Sequence, residues 1–195
     1  NGKSFSTRRV TAVQKGRTIF IMTASFQIAE EGFVHQFKMP SVPSPEDLPT
    51  DIERMEKSLP RLTEEQRKTL CRERPIELRR VEAIDFANPK RKSPVQHIWL
   101  RSKERLGNQY SEHQGFLAYA SDMGLLSTSS LPHGMSWLNG LQTASLDHSM
   151  WFHDSFRMDK WILAVIESPT ASNSRAFNRG LMFSAEGALI ASVSQ

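Results

Sequence analysis

Apolar and polar positions alternate along most of this chain, and one stretch alternates in an unusual way. From Leu141 to His153, Ala144, Leu146, Met150 and Phe152 share one parity, while Thr143, Ser145, Asp147 and Ser149 share the other. Period two predicts a β-strand with an apolar face and a face of hydroxyls and a carboxylate. Such a face fits either the solvated side of an antiparallel sheet or a hydrogen-bonded pocket, because buried polar groups need partners.

Further strands are predicted by the same pattern. Ser4–Gln14 and Arg17–Ile28 form a hairpin, with Lys15-Gly16 as its two-residue turn. Pro75–Ile84, Val95–Lys103 and Lys160–Glu167 are single strands, and Ser174–Ser184 with Ala188–Gln195 make a final hairpin turning at Glu186-Gly187. The period changes to that of a helix over Tyr110–Leu126, where Phe116, Tyr119, Ala120, Met123 and Leu126 form an apolar stripe. Ser111 with Gln114 three residues on is the expected cap. Asp122 lies at the edge of that stripe. An acid there is either an ordinary boundary residue or a group with a partner or a task.

Four prolines between Pro40 and Pro49 mark a linker. Ile52–Leu59 and Glu64–Cys71 follow as short charged surface helices, the second capped by Thr63 and Gln66. The two hairpins resemble each other: each has Ser and Arg in its first arm, Gly at its turn and a final Gln, Gln27 or Gln195. Two related units in tandem are therefore expected: 1–39 as the closing hairpin of the first, 40–74 as linker, and 75–195 as a second unit of one helix and a sheet. A lone hairpin is barely stable, so residues 4–28 are expected to pack on the second unit or on another chain.

Composition narrows the classes. The 195 residues are 38% hydrophobic and 24% charged, with a net charge of +4, as befits a globular protein. No apolar run reaches the length of a membrane span, so stable membrane insertion is not expected. Cys71 is the one cysteine, which excludes an internal disulfide. The chain starts without Met and reads as cropped at both ends. A basic surface suits nucleic acid, an anionic membrane or a polyphosphorylated small ligand. Nucleic acid ranks last, because no aromatics cluster on a basic strand face. The basic loop Asn88–Pro94 is read as a solvated turn rather than a nuclear-localisation patch.

Most familiar chemistry is absent. Gly134-Met-Ser-Trp-Leu138 misses the nucleophile elbow, and there is no zinc motif or glycine-rich phosphate loop. No metal and no cofactor are called for. His133, His148 and His153 with Asp122 or Asp147 leave open a Ser-His-Asp set around Ser145 or Ser149.

The motifs do resemble a family. Asp147-His-Ser-Met-Trp-Phe-His153, followed by Glu167-Ser and Ser174-Arg175, and preceded by Tyr119-Ala-Ser-Asp122 and Pro132-His-Gly134, are similar to the type II acyl-CoA thioesterases. That family includes the bacterial TesB enzymes and peroxisomal acyl-CoA thioesterases. Ser4-Phe-Ser-x-Arg-Arg-Val10 and Met22-Thr-Ala-Ser-Phe-Gln27 resemble its first half.

The resemblance implies an α+β fold, the double hotdog, in which each of two units wraps a curved antiparallel sheet round a long helix. The first hotdog is incomplete in this chain. It also implies hydrolysis of fatty acyl-CoA to fatty acid and CoA, with Asp122, Ser145 and Gln195 as the catalytic residues. Asp122 would act as base, and Ser145 and Gln195 would hold the attacking water. Direct hydrolysis is favoured over an acyl-enzyme, since no activated nucleophile is evident. Asp147 and His148 are read as structural. Arg175 and Arg179 are guessed, from charge, to meet the CoA phosphates. A homo-oligomer is expected, in the peroxisome or, failing that, the cytoplasm. The other reading is a hotdog module that binds acyl-CoA without cleaving it.

Overall fold

The computed structural model describes residues 2–56 and 59–195. It divides into a first unit ending at His35 and a second unit from Gln36 to Gln195. The first unit is the expected hairpin. Strands β1 (Phe5–Gln14) and β2 (Arg17–Gln27) pair antiparallel. Lys15 and Gly16 turn between them with φ of 49° and 74°, the left-handed pair that matches strand twist. Val10, Ile19, Phe20, Ile21 and Phe26 are all exposed, so this ribbon carries apolar groups on both faces.

The second unit is built on six antiparallel strands in the order β3-β4-β6-β7-β8-β5. These are β3 (Ile76–Arg80), β4 (Val95–Ser102), β5 (Ser149–Phe152), β6 (Ile162–Ser172), β7 (Arg175–Ser184) and β8 (Leu189–Ser194). Before β3 come helices α1 (Asp51–Met55) and α2 (Glu64–Leu70). Thr50 with Glu53 and Thr63 with Gln66 close reciprocal capping boxes on them. Residues 57–58 of the first expected helix lie outside the described residues.

One face of the sheet packs on helix α3 (Tyr110–Ser121) and the short α4 (Leu125–Thr128). Ile98, Leu100, Ile162, Ala164, Ile166, Met182, Ala191 and Val193 meet Leu117, Ala120 and Leu125 in one buried cluster. Residues of opposite parity, Trp99, Trp161, Leu163 and Phe183, bury the other face. The middle strands are thus covered on both sides, which is why they read as near-continuous apolar runs.

The helix differs from the sequence expectation in three ways. It begins at Tyr110 with Gln109 as a cap that makes no side-chain bond, so Ser111 is not the cap. Tyr110 fixes the start: its hydroxyl donates to Asp154 O at 2.9 Å, and its ring meets Phe156 edge-on. The buried stripe is His113, Leu117, Ala120 and Ser121, and Tyr119 is 52% exposed. His113 is buried because both ring nitrogens are bonded. Nδ1 accepts from Met158 N–H and Nε2 donates to Gly107 O, each at 3.0 Å. Finally, the expected single helix to Leu126 breaks. Gly124 has a φ of 104°, and a Cβ there would meet Ile98 Cδ1 at 2.5 Å, so only glycine fits. Asp122 consequently closes α3 as its C-terminal cap rather than sitting within it.

Other boundaries moved for local reasons. β3 stops short of Ile84 because Glu82 takes over the ladder: its carboxylate accepts from His97 N–H at 2.8 Å and bonds His97 Nδ1 at 2.7 Å. Burial pushes the Glu82 carboxyl up, but the bonds from His97 outweigh it and hold it below its ordinary range. β6 runs past Pro169 to Ser172. A register shift between Glu167 and Thr170 accommodates the proline, as bulges do.

The Pro-rich segment 40–49 covers the second sheet face. Met39, Val42 and Leu48 pack on the tryptophan cluster. Trp99 Nε1 donates to Pro43 O at 2.9 Å, Trp161 Nε1 to Glu46 Oε1 at 2.8 Å and Arg79 Nη1 to Pro45 O at 2.7 Å. The segment is therefore part of the second unit's core, not only a connection.

Candidate active site

The stretch Leu141–His148 forms no strand; the ladder starts only at Ser149. β5 is moreover an edge strand, paired on one side with β8. The alternating face predicted over Leu141–His153 is thus an unpaired approach followed by four paired residues. Gly140, with a φ of 96°, opens it after the turn Trp137–Asn139. Freed from a ladder, this approach can aim neighbouring side chains independently, so Ser145 and His148 need not obey strand parity.

Ser145 and Gln195 are brought together. Gln195 Nε2 donates to Ser145 Oγ across 50 residues of chain. Gln195 reaches this place because β7 and β8 stay in register from the Met182–Ala191 pair onward. Asn178 N–H donates to Gln195 O and Gln195 N–H to Asn178 O, both at 2.9 Å.

Asp122 is exposed at the end of α3. Its neighbour Ser121 is fully buried and accepts a hydrogen bond from His148 Nε2 at 2.8 Å. Ser121 Oγ spends its own hydrogen on Ala118 O, also at 2.8 Å, so the imidazole must be the donor. This contact ties the helix end that carries Asp122 to the approach that carries Ser145. Asp122, placed by the sequence at the edge of the stripe, is exposed, while Phe116, Ala120 and Met123 of that stripe pack on the core.

The histidines do not assemble a Ser-His-Asp set among the described residues. His148 bonds Ser121, and His153 Nε2 bonds Ser192 Oγ at 2.8 Å. Of the two guessed phosphate-binding residues, Arg179 pairs with Glu167 through Nε at 2.5 Å, and Arg175 is exposed at the β6–β7 turn. Among the described residues, no group of three or more His, Cys, Asp or Glu could hold a metal ion. No helix among them is long and apolar enough to cross a membrane.

Sequence reasoning missed Ser121 and Asn178. Ser121 lies off the predicted stripe, and its burial emerges only in the fold. Asn178 could have been found, since it shares a parity with Gly180 and Met182 on the inward face of β7.

A hydroxyl and a carboxamide from two separate elements are thus in contact, and the Asp122 carboxylate stands at the end of a third. The comparisons place this fold. A family model described as acyl-CoA thioesterase matches residues 67–195. Acyl-coenzyme A thioesterase 8 of Mus musculus is 40% identical over 202 residues, covering 100% of this chain and 63% of that protein. Acyl-CoA thioesterase 2 of Haemophilus influenzae is 35% identical over 195 residues, covering 100% of this chain and 68% of that one. The chain thus spans about 63% of the mouse relative's length. Among solved structures, acyl-CoA thioesterase II TesB2 from Mycobacterium marinum aligns with a TM-score of 0.78 at 37% identity, covering 100% of this chain and 68% of that chain. A hot dog fold protein from Alicyclobacillus acidocaldarius aligns with a TM-score of 0.69 at 17% identity, covering 100% of this chain and 67% of that one, which bears on fold alone. The α+β architecture is that of a hotdog, carried by the second unit, and the chain belongs to the acyl-CoA thioesterase family.

Proposed function

We propose that the protein hydrolyses fatty acyl-CoA thioesters to free fatty acid and CoA. The observation that carries this reading is the hydrogen bond from Gln195 to Ser145, which joins two of the three expected residues across distant elements. Asp122 takes a proton from water as that water attacks the thioester carbonyl carbon. Ser145 and Gln195 hold the same water and fix its line of approach, which removes an entropic part of the barrier. Because Gln195 gives an N–H to Ser145 Oγ, the Ser145 hydroxyl keeps its own hydrogen for another acceptor. The carbonyl carbon gains the oxygen, the C–S bond breaks, and the CoA thiolate leaves, taking up the proton that Asp122 accepted.

Arg175 and Arg179 are assigned to the CoA phosphates in this reading, and Arg179 would exchange Glu167 for a phosphate on binding. A homo-oligomer and a peroxisomal location complete the proposal, with the cytoplasm as the alternative. Sedimentation of the full-length protein tests the first and organelle fractionation the second.

The deciding experiment is release of free thiol from a chain-length series of acyl-CoA by the full-length protein, with Asp122→Asn beside it. Hydrolysis by the parent and none by the variant is expected. Turnover undiminished in Asp122→Asn removes that residue as base. Tight acyl-CoA binding without thiol release from the parent replaces the reading with that of a non-catalytic acyl-CoA-binding module.

A further inference from the structure

Two buried oxygens without partners sit on the two residues that form the last rung of the β7–β8 ladder. They are Asn178 Oδ1 and Gln195 Oε1. The mutual backbone bonds between these residues make them a directly opposed pair, so their side chains leave on the same face of the sheet. Asn178 is 1% exposed. A buried carboxamide oxygen left without a donor is unfavourable, and two on opposed residues ask for one shared remedy.

The chemistry of the carboxamide supplies it. The group has nearly the same outline either way round, and half a turn about its last bond exchanges acceptor for donor. That turn at Asn178 puts an N–H where Oδ1 now lies, on the sheet face it shares with Gln195 Oε1. The same turn at Gln195 would reverse its bond to Ser145 and make the serine the donor. Gly180 and Met182, the next residues of β7 on that face, offer no hydrogen-bond donor from their side chains.

We infer that Asn178 is a positioning residue, whose carboxamide N–H holds Gln195 Oε1 and so keeps the Nε2 end of Gln195 turned to Ser145. Its consequence is directional. With Nε2 facing Ser145, the serine hydroxyl is an acceptor there and its own hydrogen is free. With Oε1 facing Ser145, that hydrogen would be consumed. Asn178 thereby selects which hydrogen-bond polarity the water site presents. The inference rests on the proposed hydrolysis only in giving that polarity a use.

The test compares Asn178→Thr with Asn178→Val in the full-length protein. The two side chains are nearly isosteric, and only threonine has a hydrogen to give. Hydrogen exchange of the Gln195 side-chain N–H, followed by NMR, is expected to stay slow in Asn178→Thr and to quicken about tenfold in Asn178→Val, the scale of one hydrogen bond. In the same pair, kcat on acyl-CoA is expected to fall about tenfold for Val alone, with KM unchanged. Added to Gln195→Ala, Asn178→Val should cause no further fall, because the residue acts through Gln195. Equal exchange rates in the Thr and Val variants overturn the inference, as does an equally large fall of kcat in the Gln195→Ala background. If the parent protein releases no thiol from acyl-CoA, the proposed function fails, and the exchange comparison still decides the role of Asn178.

Discussion

Ser121 Oγ and His148 Nε2 are joined at 2.8 Å across 27 residues of chain. The serine is locked by its bond to Ala118 O, so the imidazole has one fixed acceptor on the helix. Because the approach around His148 has no ladder of its own, this contact does for Leu141–His148 what strand pairing does elsewhere. It links the helix end that bears Asp122 to the segment that bears Ser145.

Removing that tie should therefore affect turnover more than folding. His148→Ala is expected to lower kcat by about tenfold, the worth of one side-chain hydrogen bond in a preorganised site. His148→Gln, which keeps an N–H at a similar reach, should recover most of the loss. Thiol-release kinetics beside thermal unfolding measures both. A Tm loss that accounts for the whole effect would make the contact merely structural.

Ser145 is expected to matter through its hydroxyl and not through its shape. Ser145→Ala should cut kcat by roughly a hundredfold, as loss of one preorganised hydrogen-bonding group at a reacting centre does. Ser145→Thr retains the hydroxyl and should stay within a few-fold of the parent. Steady-state kinetics on one acyl-CoA distinguishes them.

Gly124→Ala should be severe. The new methyl meets Ile98 Cδ1 at 2.5 Å and Ile166 Cδ1 at 3.2 Å, on a backbone whose φ of 104° already disfavours any side chain. A loss of about 2–4 kcal/mol is expected, read as a lower urea midpoint. The same position separates α3 from α4, so the direction of Asp122 should change with it.

Acid stability should depend on Asp159. Its bond to Arg157 at 2.8 Å is the main reason its carboxyl is pushed down to about 2 from 3.8. A carboxyl depressed on folding stabilises above its unfolded value and loses that contribution as the pH falls through its folded one. The contribution is therefore complete above about pH 4 and gone below about pH 2. Asp159→Asn should lower Tm at neutral pH and flatten the acid limb of Tm against pH in that window.

The fold was legible where backbone pattern and turn chemistry agree. The hairpin turning at Lys15-Gly16 and the one turning at Glu186-Gly187 follow from alternation plus glycine. The cap formed by Thr63 and Gln66 follows from spacing alone. The helix face was legible only in part, because His113 counts as polar in any pattern and is bonded on both ring nitrogens, to Gly107 nearby and to Met158 far along the chain. The loss of pairing over Leu141–His148 was not legible, since alternation records which side a residue faces and not whether a neighbour is present. Of the candidate site, Ser145 and Gln195 are in contact, and the place of Asp122 at a helix end required the break at Gly124.

The bulge at Pro169 separates two mechanical regimes within β6 and β7. Up to Glu167 and Arg179 they are braced by β4 and β8, whereas, among the described residues, Thr170–Ser172 and Arg175–Phe177 pair only with each other. That tip is a two-stranded ribbon anchored at one end, turned by Asn173 and Ser174 in left-handed backbone. Insertions in steps of two residues would lengthen it without flipping a side chain anywhere in the braced sheet. The reach of Arg175 is thus adjustable on its own, without disturbing the braced strands that lead to Asn178 and Gln195.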